Sequence, residues 1–330
     1  MKKRNESIDA MKFLLITMVV FDHCVQKFQL STAPYYEHIY QLFQAINMPI
    51  FVFISGFFMR RTSEKHKFYK GIITILETYI VFQIPFLLIS IFKGNYNPLN
   101  LIQPGWAMWY LPALIVWRIV AYNLPEKVFS KKKLLILSLI AISLVGGFIP
   151  TKSFAFQRII TFAPLFFLGF FCAKTPILDN LRKINPFIPI SIITAYTIIL
   201  FVTNIHTTPL FQQDNTYYNK WLSVPCSFGV RIFWHIVTLI VGSMSASLIL
   251  RIKSKWMAEM GMHTLLFYVG HIVVLTVCCP LVKKLGFLQP NPFYMMVMFC
   301  LIIAFFTILS KCKWHKYILN PITTYIDQHQ

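Results

Sequence analysis

The sequence predicts an all-α integral membrane protein of about ten transmembrane helices. Three observations lead there. Of 330 residues, 57% are hydrophobic and only 13% are charged, whereas a soluble chain carries about 25% charged residues. Mean hydropathy is +0.62. Apolar runs of about 20 residues, the length that crosses a bilayer, recur from one end of the chain to the other. Aromatic residues make up 16%, with 32 Phe, which suits a lipid-facing exterior with Trp and Tyr near the interfaces.

The ten runs lie at 11–30, 39–59, 71–92, 106–123, 134–150, 157–173, 187–204, 228–250, 262–282 and 292–310. Loop charges orient them. With the N-terminus inside, 22 basic residues fall on the inner side and 8 on the outer, with Lys12 inside the first run. That bias obeys the positive-inside rule and places both termini in the cytoplasm. An odd number of spans would put the basic C-terminal tail outside.

Composition also bounds the function class. A net charge of +20 would suit nucleic acid, but the basic residues alternate with apolar runs, so membrane topology accounts for them and no nucleic-acid partner is expected. The seven cysteines follow neither a zinc-site spacing nor a disulfide framework, and no metal is expected. The first run lacks a small-residue cleavage site and reads as an uncleaved span. No repeat or linker divides residues 1–330, so a single transmembrane domain is expected. No phosphate-binding glycine loop occurs, which argues against a nucleotide hydrolase. The longest outer loop, about 205–227, carries His206, Asp214, Tyr217, Tyr218 and Trp221, and reads equally as an acceptor-shaping loop or as an ordinary one.

Polar groups inside apolar runs are costly and tend to face the bundle interior. Lys12 and His23 are eleven residues apart. At about 100° per residue they share one helix face, separated along the axis by roughly 16 Å. Lys12 could simply snorkel to the headgroups, and His23 could be a hydrogen-bonded histidine within the bundle. Asp22 points about 100° away, where it could orient another polar group or line a pore. Arg158 and Arg231 read as interfacial anchors or as site residues. His235 is a further candidate, His271 lies in a strongly apolar run, and Glu77 is expected to pair with a base. Arg60, Arg61, Lys65, Lys67 and Lys70 form an inner basic cluster that serves either lipid headgroups or the phosphates of an anionic ligand.

Several motifs resemble acyltransferase family 3, the ten-helix membrane acyltransferases, and especially the fucose 4-O-acetylase-like branch with its polysaccharide-adhesin O-acyltransferases. Lys12 to His23, preceded by Arg4–Asn5 and Ile8–Asp9, is similar to the family's basic residue, ten residues, His signature. Asn47 to Phe57 resembles its second helix, and Lys67 with Lys70 its basic pair before the third. Trp109–Tyr110–Leu111 resembles its fourth-helix element. Gln157–Arg158 with Pro164 to Gly169 resembles the sixth-helix block, and Thr264 to His271 a late helix ending in His. The chain departs from the pattern at Ala107, where the family often has His, and at Glu77, where it often has Pro.

The resemblance implies acyl transfer from cytoplasmic acyl-CoA, acetyl-CoA in the first instance, to a hydroxyl of a cell-surface or lipid-linked glycan. It also implies a bacterial plasma membrane. His23 would then be the general base or transient acyl carrier, with Lys12 at the inner end of the same pore. Arg158, Arg231 or His271 would stabilise the oxyanion, and Arg60, Arg61, Lys67 and Lys70 would take the CoA phosphates. Association into a homo-oligomer stays open. The rival reading is a glycan or lipid-linked sugar transporter or flippase, against which stand the missing internal repeat and the scarcity of acids for proton coupling.

Overall fold

The computed structural model describes residues 5–30, 34–59, 64–92, 94, 103–151, 153–203, 212–219, 222–286, 288–312 and 314–329. Among these residues the fold is entirely helical. The ten apolar runs each coincide with one helix: α1 (Glu6–Lys27), α2 (Pro34–Phe57), α3 (Lys65–Phe92), α4 (Tyr110–Asn123), α6 (Lys132–Gly146), α7 (Phe156–Cys172), α9 (Phe187–Thr203), α10 (Val224–Ile249), α12 (Thr264–Lys284) and α13 (Pro292–Lys311). Five short helices complete the set: α5 (Lys127–Ser130), α8 (Ile177–Lys183), α11 (Lys255–Gly261), α14 (His315–Leu319) and α15 (Pro321–His329).

Six of the described helices are long and apolar enough to cross a membrane, and a seventh arises if α8 and α9, bent by 86° at their junction, form one span. The remaining long helices fall short for identifiable reasons. At 14 and 15 residues, α4 and α6 reach only about 21–23 Å against a hydrocarbon core of about 30 Å. With 22 residues α1 is long enough, but any 18-residue stretch of it contains Lys12, Asp22 and either Asp9 or Lys27. Its charges are those of a site.

Packing explains where that site lies. One apolar cluster joins α2, α4, α7 and α10, and a second joins α3, α12 and α13. The first helix feeds both, giving Met11 and Leu15 to one and Ile16 and Val20 to the other. It therefore runs as a partition between two helix groups. At the crossing of α2 on α7, a glycine of each helix faces the other's backbone. A Cβ on Gly56 would come within 1.9 Å of the Phe166 carbonyl oxygen, and one on Gly169 within 2.0 Å of the Phe53 oxygen. Only glycine permits that approach.

Rows of exposed apolar side chains on α3 (Ile73, Ile80, Leu88), α9 (Ile190, Ile198, Val202) and α13 (Leu301, Phe305, Ile308) face outward, as a lipid-facing perimeter requires. Among the described residues, Glu77 meets backbone where a base was expected: its carboxylate accepts the N–H groups of Ile322 and Thr323. It caps the start of α15 from the neighbouring α3, supplying the acceptor that a helix N-terminus needs.

Candidate functional site

Two cavities lie along α1. The smaller, about 370 Å³, surrounds His23; the larger, about 1,880 Å³, surrounds Lys12. Val19, Met48 and Tyr268 line both, so these three side chains form the throat between them. Val19 is the α1 residue one turn before His23. Met48 precedes Pro49, which breaks the helical hydrogen-bond ladder of α2 at this level because proline has no N–H to donate.

In the smaller cavity His23 makes its contact with His271, from α12. His23 Nδ1 lies 2.7 Å from His271 Nε2, and His271 Nδ1 lies 2.7 Å from the Phe267 carbonyl oxygen. Acceptor chemistry orders the protons along this chain. A carbonyl only accepts, so His271 Nδ1 carries a hydrogen. In neutral His271 the Nε2 is then an acceptor, and His23 Nδ1 must donate to it. Neutral His23 is left with its lone pair on Nε2. The fully buried His271 does not line the cavity and acts on it through His23. Among the described residues, no group of three His, Cys, Asp or Glu is placed to hold a metal ion.

The walls divide by chemistry. Trp106, whose ring centroid is 4.5 Å from that of His23, and Trp109 supply indole faces. Asp22, Gln26, Tyr40, Gln44 and Asn47 supply hydrogen-bonding groups from α1 and α2. At the rim Arg158 from α7 donates through Nε to the Gln212 carbonyl at 2.9 Å and pairs through Nη2 with Asp214 at 3.1 Å. Its guanidinium also lies 5.3 Å from the Trp109 ring. The segment 212–219 is thereby tied across the cavity. Arg231 ties it a second time: it donates to the carbonyls of Ser143 and Asn215 and to Gln157 Oε1, at 2.9 to 3.1 Å. Arg231 does not line the cavity, and its role is to hold the loop. Backbone strain concentrates at the same place. Trp106, Ala155 and Gln213 have φ of 37°, 55° and 55°, values that non-glycine residues adopt rarely and at a cost of about 1–3 kcal/mol.

The larger cavity carries formal charge. Lys12 lines it, paired with Asp9 at 2.6 Å. Arg118, Lys132 and Lys174 join it, with Glu126 and Asp179 among the acids. Arg118 keeps a buried Nε–H without a partner among the described residues.

The predicted site residues thus separate. His23, His271 and Arg158 come together at one cavity, and Lys12 stands in the other. Lys67 and Lys70 are exposed, paired with Glu64 at 2.7 Å and with Asp327, and neither lines either of these two cavities. Arg60, Arg61, His206 and Trp221 lie outside the described residues. Sequence reasoning passed over Gln26, Tyr40, Gln44 and Trp106 at one end and Arg118, Lys132 and Lys174 at the other. Uncharged amides inside apolar helices were the available signal for the first group.

The profile of acyltransferase family 3, described as an acyltransferase domain, matches residues 5–311. Neither a curated protein nor a solved structure matches the chain. The match covers both cavities, the throat and all ten long helices. The chain belongs to acyltransferase family 3 and is a multi-pass membrane acyltransferase.

Proposed function

We propose that the protein transfers an acyl group, acetyl in the simplest case, from cytoplasmic acyl-CoA to a hydroxyl of a cell-surface or lipid-linked glycan. His23 acts as general base. The single observation that carries this reading is the hydrogen-bonded chain from the Phe267 carbonyl through His271 to His23, whose acceptor order leaves a lone pair on His23 Nε2 beside a polar cavity.

The step balances as follows. His23 Nε2 takes the proton of the acceptor hydroxyl as its oxygen attacks the thioester carbonyl. The tetrahedral intermediate collapses, the C–S bond breaks, and His23 returns the proton to the departing thiolate. The products are an ester and free CoA. A neutral imidazole can take the proton and then return it, which suits both directions of that transfer. Arg158, at the rim, is placed to stabilise the oxyanion. His271 is a positioning residue that holds the His23 ring.

The two cavities suit the two substrates. About 370 Å³ lies at the low end of ordinary ligand sites, and about 1,880 Å³ lies above it. The nucleotide end of CoA is large and polyanionic. Lys12, Arg118, Lys132 and Lys174 would take its phosphates. The pantetheine arm would then pass Val19, Met48 and Tyr268. This reading carries with it ten spans with both termini in the cytoplasm of a bacterial cell, and membership of the fucose 4-O-acetylase-like branch.

Purified protein incubated with labelled acetyl-CoA and methyl glycosides tests it. Label on the sugar with release of CoA is the expected result. Label trapped on His23 without acceptor would make the imidazole an acyl carrier. Neither CoA release nor label transfer would return the protein to the transporter reading.

A further inference from the structure

Asp22 is the buried group that the chemistry above leaves unused. It is 1% exposed and lines the smaller cavity. It precedes His23 on α1, about 100° around the helix. Its Oδ2 accepts from Asn47 Nδ2 at 2.8 Å and from Gln44 Nε2 at 3.2 Å. Its Oδ1 is buried and has no hydrogen-bond partner among the described residues. A buried carboxyl oxygen without a hydrogen bond is costly and uncommon. Here two amides from α2 fix the carboxyl plane through one oxygen and leave the other without a donor, in a residue that lines the cavity.

The neighbouring groups indicate what kind of donor. The Tyr40 hydroxyl accepts from Gln26 Nε2 and, at 2.8 Å, from Gln212 Nε2, which continues the polar wall from Asp22 toward the rim. Trp106 and Trp109 supply apolar faces in the same cavity. A compact ring bearing several hydroxyls meets such a mixture of indole, amide, hydroxyl and carboxyl groups.

We infer that Asp22 orients the acceptor: its Oδ1 accepts a hydrogen bond from the hydroxyl or N–H on the sugar carbon next to the one that is acylated. The inference rests on reading this cavity as the acceptor site, and it narrows the acceptor class. The sugar must present a free donor vicinal to the reacting hydroxyl. A sugar already methylated or acylated at that neighbour is rejected, because Oδ1 then stays buried and unpaired. One position of a vicinal pair is therefore acylated, never both.

The test uses detergent-purified full-length protein and the methyl glycosides of glucose, galactose and N-acetylglucosamine, with their monodeoxy derivatives, titrated by tryptophan fluorescence. At least one parent glycoside binds the wild type, and deoxygenation at one carbon weakens it about tenfold or more. Asp22→Asn weakens the parent glycoside by a similar factor, and the same deoxygenation costs nothing further in that variant. In Asp22→Asn the amide oxygen must face Gln44 and Asn47, so its NH₂ takes the place of Oδ1 and the sugar's donor loses its acceptor. Acetyl-CoA affinity within about twofold of wild type reports that the variant is folded. If it is not folded, the deoxy series on the wild type decides alone. A flat series, an Asp22→Asn variant that binds like wild type, or no glycoside binding at all overturns the inference. Sugar binding with the expected pattern, but without acetyl transfer to the sugar, would sink the acyl-transfer reading and leave the role of Asp22 standing.

Discussion

At the His23 end of α1 the polar groups, the Arg158–Asp214 ion pair among them, hydrogen-bond to one another; at the Lys12 end several formal charges stand on the wall of a much larger chamber. The first arrangement orders protons and fixes ring planes. The second gathers charge with little mutual constraint beyond the Lys12–Asp9 pair. One helix supplies both, and three shared side chains stand where the two cavities meet. The contrast teaches that the Lys12 and His23 signature is a measure of distance. The two residues mark two sites about 16 Å apart along one helix.

Substitutions at the two ends should therefore fail in different ways. The largest effect belongs to His23→Ala, which removes the lone pair: acyl transfer should fall about a thousandfold or more, with acetyl-CoA affinity unchanged by titration. A variant that stays active would break the comparison at its first step. Next comes His271→Phe, which leaves His23 Nδ1–H without its acceptor and frees the ring; kcat should fall about a hundredfold. His271→Gln, whose amide oxygen still accepts, should recover part of that loss in the same assay.

At the other end Arg118→Gln should raise the KM for acetyl-CoA about tenfold and leave kcat within about twofold. A fall in kcat with an unchanged KM would assign Arg118 to the chemistry. The smallest effect is expected from Lys67→Gln with Lys70→Gln. Both lysines are exposed and already paired with acids, so the KM should move by about twofold or less.

Much of this architecture was legible in the sequence. Each of the ten apolar runs contains a helix, because a run of about 20 apolar residues has few other ways to satisfy its backbone in lipid. The placement of Lys12 and His23 on one continuous helix followed from the helical period alone. The His23–His271 contact joins residues 248 positions apart, and no local period reports such a pairing. Glu77 illustrates a second limit. An acid in an apolar run suggests a basic partner, yet a helix N-terminus offers backbone N–H groups that serve as well, and α15 supplies them. Gln26, Gln44 and Asn47 show a third. They carry no charge, so a search for ionised groups in the membrane passes over the residues that build most of the polar wall.

The throat offers the most direct test of two joined sites. Val19→Trp should close the passage between the cavities that Val19, Met48 and Tyr268 share. Acetyl-CoA binding and acyl transfer are measured on the same purified sample. The account predicts donor affinity within about twofold of wild type and transfer reduced about a hundredfold or more. Transfer at the wild-type rate with the passage filled would contradict it.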